Sequence, residues 1–214
     1  MKKLNFTVMA SCLLVLFMMG CEKGSLLDSA AEKKASFDLK MNSINDLGEE
    51  VTSTIKVLPS AQFKRRLKSG ANPNQVATGN FRTDLGSKYN FSAVKSPDGV
   101  SGEWQVNSVT VGHFYMKTID VYVDGDEATM AGIVTEVVSG GFQKNWIVFI
   151  KIKDNGEGNN SAPDQSSYIL LYYPDWFNFY PSPDAFLAII NCESLAENPI
   201  FGAFLDRDGQ IQVR

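Results

Sequence analysis

From His113 to Glu157 the chain alternates apolar and polar side chains in runs too short for helices. The run from Phe114 to Val123 stops at Asp124-Gly125-Asp126, and a matching run resumes from Ala128 to Val137. Period-two alternation on both sides of an Asp-Gly predicts a hairpin, because glycine tolerates the positive φ that a tight primed turn requires. A third run, Asn145 to Lys153, follows and ends in Asp154-Asn155-Gly156-Glu157. The middle of the chain therefore reads as an antiparallel meander.

The same short period recurs on either side. Ala35 to Met41 alternates, Ser43 to Gly48 turns, and Val51 to Leu58 is β-branched enough for a strand, with a short helix over Asp46 to Leu58 as its rival. Ser69 to Gly79 is rich in Gly, Asn and Pro and reads as a loop. Strands are then expected over Asn80 to Thr83, Lys88 to Lys95 and Gly102 to Asn107, and after the meander over Tyr168 to Tyr172 and Gly209 to Val213. Evenly spaced strands without long helical patterns predict an all-β domain, an antiparallel β-barrel or β-sandwich. The alternation is the same for both. One stretch breaks the rhythm, a short helical and aromatic insertion from Tyr173 to Arg207 before the last strand. Within it Pro183 to Asn191 suits a short helix or a buried strand.

The first residues have a different pattern. Met1-Lys2-Lys3 is a short positive region, and Phe6 to Met19 is an apolar stretch too short to span a bilayer comfortably, the signature of a secretory leader over residues 1–20. It closes on Gly20-Cys21, which resembles the lipobox of bacterial lipoproteins, although Met18 and Met19 stand where Leu and a small residue are usual. An ordinary signal peptide with an incidental cysteine is the alternative. The resemblance implies lipidation of Cys21, an attachment to the membrane through several acyl chains. Glu22 rather than Asp follows the cysteine, which in such lipoproteins implies the outer membrane, facing periplasm or exterior. Residues 21–34 are small and charged and read as a tether. A single domain is expected over residues 35–214, roughly the size at which one core is well buried.

Net charge is -4, from 20 basic and 24 acidic side chains, without the concentrated positive face of a nucleic-acid binder. The Lys64-Arg65-Arg66-Leu67-Lys68 cluster is either a solvated face or a contact for acidic headgroups or a polyanion. Of the 3 cysteines, two lie in or at the end of the leader, so Cys192 has no intrachain partner and reads as a small buried hydrophobe.

Gly102-Glu103-Trp104-Gln105-Val106-Asn107, the Asp124-Gly125 hairpin, the strand into Asp154-Asn155-Gly156-Glu157, the strand at Tyr168 to Tyr172 and the closing Gly209-Gln210-Ile211-Gln212-Val213 occur in an order that resembles the post-COAP domain of secreted bacterial proteins. The resemblance covers about residues 80–214 and implies an all-β fold. It brings no chemistry with it, and the long insertion departs from it.

Tyr172, Tyr173, Asp175, Trp176, Phe177, Phe179 and Tyr180 form an unusual density of rings around prolines. Such rings can stack on sugar faces or cap an apolar ligand, with Asp175 fixing orientation; equally, they can cover an open end of the core. Asp154, Glu157 and Asp164 offer hard oxygen ligands for calcium on a turn that is otherwise a plain hairpin loop, and their spacing is not that of the twelve-residue calcium loop. His113 is the one histidine, and neither a zinc set, a nucleophile elbow nor a phosphate-cradling loop is present, so nothing favours an enzyme. The expected function is a lipid-anchored envelope module that binds a glycan or another envelope ligand, or else an accessory subunit of an outer-membrane protein complex.

Overall fold

The hairpin at Asp124 is the longest strand pair. β7 (Gly112–Asp124) and β8 (Glu127–Gly140) pair from Asp124 opposite Glu127 to Gly112 opposite Gly140, and Gly125 takes φ 67° at the turn. Register shifts near His113, Tyr115 and Thr118 let this long ribbon bend. The computed structural model describes residues 37–57, 74–157, 161–167 and 169–214. The leader, Cys21, the tether at 21–34 and the Lys64–Lys68 cluster lie outside the described residues.

Around this hairpin stand β1 (Phe37–Asn45), β2 (Glu50–Val57), β3 (Gln75–Arg82), β4 (Lys88–Ser96), β5 (Gly99–Ser101) and β6 (Glu103–Ser108) before it, and β9 (Ile147–Lys153), β10 (Gln165–Ser167), β11 (Ile169–Tyr173), β12 (Phe204–Asp206) and β13 (Asp208–Val213) after it. All belong to one antiparallel sheet in the order β13-β3-β4-β6-β7-β8-β9-β11-β1-β2, with β5 on β4 and β10 joining β9 to β12. The protein is thus an all-β meander. The ladder does not close: β2 and β13 end the order, so the sheet is open and the strands do not complete a barrel. Residues 50–57 form a strand and not the rival helix.

The loop expected up to Gly79 ends earlier, because β3 begins at Gln75. Gly79 reads as a loop residue but serves a close approach. A Cβ there would lie 2.4 Å from the Gln210 carbonyl oxygen and 2.9 Å from the Ile211 Cα of the neighbouring β13.

Both faces of the central strands are buried. Val148, Ile150 and Ile152 of β9, with Leu170 and Tyr172 of β11, join Phe114, Met116, Val121 and Trp104 in an inner cluster. Their alternates Ile147, Phe149 and Leu171 join Leu39, Met41 and Ile55 in an outer one. This is why β9 reads as an unbroken apolar run. The insertion covers the outer face with Trp176, Phe186, Ile190, Cys192, Leu195 and Phe201. It contains α1 (Pro183–Leu187), capped by Ser182, whose hydroxyl accepts from the Ala185 N–H, and α2 (Cys192–Ala196), held by a capping box between Asn191 and Ser194. Pro183 at the first turn explains why a helix, rather than a strand, forms there.

Arg207, between β12 and β13, is buried. Its guanidinium lies 2.7 Å from the Asp46 carboxylate, donates to the Ser166 hydroxyl at 2.7 Å and sits over the Phe81 ring. Burial pushes the Asp46 carboxyl up, and Arg207 offsets part of that rise.

Candidate functional site

The aromatic segment divides by depth. Tyr172 faces inward and stacks on Trp146 with centroids 5.0 Å apart; burial, together with the Glu50 carboxylate that accepts from its hydroxyl, pushes its pKa up to about 12. Tyr173 points to the other face and stacks on Phe186, which Tyr180 meets edge-on. The Trp176 indole is 6% exposed and donates to the Asn145 carbonyl. A ring buried in this way cannot offer its face to a sugar. Phe177 and Phe179, at 53% and 70% exposure, are the rings that reach solvent, beside the exposed Asp175. The rings therefore cover a face of the sheet rather than an end.

Asp154, Glu157 and Asp164 converge on β13. Asp164 Oδ2 accepts from the Ile211 N–H at 2.6 Å and Oδ1 from the Asn155 N–H at 2.9 Å. Asp154 Oδ2 accepts from the Val213 N–H at 3.0 Å and Oδ1 from the Gly156 N–H at 2.8 Å. Glu157 accepts from the Gln212 side-chain amide at 2.6 Å. These carboxylates take up backbone donors that no strand reaches, at the edge where the ladder stops. Among the described residues, no group of three His, Cys, Asp or Glu side chains is placed to hold a metal ion.

A concave site lies elsewhere on the outer face, between α2 and the sheet. Tyr122 of β7, Thr129 of β8 and Lys151 of β9 are direct cross-strand neighbours and so project to the same side. Asp124, Glu127 and Lys153 form the next row. With Glu193, Ser194 and Glu197 from α2 and its end, the floor encloses a cavity of about 160 Å³. A second chamber of about 190 Å³ shares Lys151, Ala196 and Glu197 with it and continues along Phe201 and Phe204. Lys151 separates the two, its ammonium 2.6 Å from Glu127 and 5.3 Å from the centre of the Phe204 ring.

The roof of this groove is fixed from below. The buried Asp120 of β7 accepts from the Cys192 N–H at the start of α2 at 2.9 Å and pairs with the Lys95 ammonium at 2.9 Å. Cys192 is fully buried and unpaired, and burial, with Asp120 beside it, pushes its thiol up. A buried carboxylate on a helix N-terminal amide sets α2 against β7 and β8.

Thr129, at the groove floor, is 1% exposed, and its buried hydroxyl has no hydrogen-bond partner among the described residues. The sequence reading missed this place. Its residues come from three strands and the insertion, and only Asp124, in the Asp-Gly hairpin, belongs to a motif.

No protein-family model, characterised protein or solved structure matches the chain. Among the described residues, no helix is long and apolar enough to cross a membrane.

Proposed function

We propose that the protein is a lipid-anchored binding module of the cell envelope that takes up a glycan or another small envelope ligand where the insertion meets the sheet. The observation that carries this reading is the groove beneath α2, where polar side chains from three strands and the insertion line a cavity of about 160 Å³. A concave groove with both polar and apolar walls, set between an insertion and a sheet, suits a small-ligand site. The anchor rests on the Gly20-Cys21 pattern, and outer-membrane placement on Glu22. The order of motifs from Gly102 to Val213 supports a secreted domain of the post-COAP kind.

Thermal unfolding of the full chain against glycans, lipids and calcium tests the binding, because a ligand selective for the folded state raises the midpoint. A shift with one class supports a binding module; none with any class overturns it. For the anchor, Cys21→Ser moves the protein from the membrane to the soluble fraction, and an unchanged distribution overturns lipidation.

An accessory-subunit reading has its own support. Leu47, Leu85 and Val109 are exposed at the tips of three turns. These turns touch: Ser87 accepts from the Val109 N–H at 3.2 Å, and a Cβ on Gly48 would lie 3.3 Å from Thr110. Beside them, β2 ends the strand order with exposed Val51. Such a surface suits docking to a protein. A stoichiometric partner recovered from detergent extracts and lost on Leu47→Asp with Val109→Asp supports this reading.

A further inference from the structure

The sheet ends differently on its two sides. At β13 the outward N–H groups of Ile211 and Val213 are taken by Asp164 and Asp154, which blunts that edge against another strand. At the other end β2 pairs with β1, and among the described residues no strand pairs with its outer side. Which backbone groups face outward there follows from the hairpin. The Asn45 N–H donates to the Glu49 carbonyl at 3.1 Å, and the register runs unshifted from there to Phe37 opposite Val57. Hydrogen-bonded pairs alternate along an antiparallel ladder, so Val51, Ser53 and Ile55 bond to β1, and the N–H and C=O groups of Glu50, Thr52, Thr54 and Lys56 point away from it.

This edge strand is complementary to itself. Glu50-Val51-Thr52-Ser53-Thr54-Ile55-Lys56 has Ser53 at its centre, a threonine on each side, a β-branched apolar residue beyond each threonine, and opposite charges at its ends. Laid antiparallel against a second copy about Ser53, it sets Thr52 opposite Thr54, Val51 opposite Ile55 and Glu50 opposite Lys56. The residues whose backbone groups point outward then meet one another, as new ladder bonds require, and Val51 and Ile55 fall in the closer, non-hydrogen-bonded pairs. Val51, 57% exposed, gains apolar cover in this arrangement. Sliding one strand by two residues toward the turn keeps faces and bonding but sets Glu50 opposite Thr54 and Val51 opposite Ser53, so both matches are lost.

We infer that the protein self-associates through β2: two copies join edge to edge about a two-fold axis at Ser53, and one antiparallel sheet runs through both. The contact is isologous and closes at two copies, because it uses up each β2 while β13 stays blunted. The groove beneath α2 lies on other strands and plays no part in it.

Sedimentation of the full chain, in detergent matched in density to the solvent, tests this. The expected mass is that of two protein chains, falling to one on dilution. Thr54→Pro removes an outward N–H without touching the bonds to β1, and should leave a folded monomer. Lys56→Glu should weaken association at least about tenfold, since the two-fold axis turns both end pairs into like charges. Adding Glu50→Lys to it restores opposite charges and, with them, the association. Ser53→Cys should cross-link two copies on mild oxidation, whereas Asp98→Cys, on the exposed turn of another hairpin, should not. Unfolding midpoints show that each variant folds. A monomer at every concentration overturns the inference, as does a dimer that Thr54→Pro and Lys56→Glu both leave intact. Failure of the second charge reversal to rescue the first overturns the pairing about Ser53. A chain that is monomeric alone but holds a different protein, lost on Thr54→Pro, overturns self-association and supports the accessory-subunit reading instead.

Discussion

Two acidic regions of this protein look alike in sequence and behave oppositely in the fold. Around Asp154 and Asp164 each of the four carboxylate oxygens accepts from a backbone N–H, and two of those donors belong to the free edge of β13. Around the groove, carboxylates from β7, β8 and the α2 region line a chamber, and the buried Thr129 hydroxyl has no hydrogen-bond partner among the described residues. The first set is used up in the protein's own backbone hydrogen bonds; the second lines a cavity. What separates a structural acidic cluster from a candidate binding site is where the hydrogen bonds go, not how many acids there are.

The comparison breaks most sharply at Asp164. Asp164→Ala strands two backbone donors beside a buried position, and a loss of about 3 to 5 kcal/mol is expected in urea unfolding. A loss under about 1 kcal/mol would show that β13 does not depend on this carboxylate. Asp154→Ala removes a similar pair at a less buried place and should cost about 2 kcal/mol by the same measurement. The opposite sign is expected in the groove. Thr129→Val replaces an unsatisfied buried hydroxyl with a methyl of the same shape, so the unliganded protein should gain about 1 kcal/mol. A destabilised Thr129→Val would mean the hydroxyl is already satisfied within the chain. The smallest effect belongs to the rim: Glu193→Gln should leave unliganded stability within about 0.5 kcal/mol, read from the denaturation midpoint.

Local chemistry was legible, pairing was not. Alternation on both sides of Asp124-Gly125-Asp126 marks the hairpin, because period two and a turn glycine are properties of adjacent residues. Likewise, Ser182 and Pro183 mark the start of α1. The first part of β3, before Asn80, escaped because Gly79 weakens its strand signal, and the reason for Gly79 is the backbone of β13, which arrives from the far end of the sequence. The ring segment showed its composition but not its depth: whether Trp176 or Phe179 faces solvent depends on the sheet beneath. The groove was invisible for the strongest form of that reason. Tyr122, Thr129 and Lys151 become a row only when three strands adopt one register.

The pairing of β13 with β3 sets an order of events in time. Asp208 lies opposite Arg82 and Val213 opposite Ala77, so β3 keeps one edge without its partner while the whole meander and the insertion are being made. A chain made from its N-terminus onward must hold that edge unpaired until its last strand is made, and long-range pairing of this kind is slow to find. In this interval an unfinished copy could accept a neighbour's strand in place of its own, so protection of the newly made chain matters most at β3.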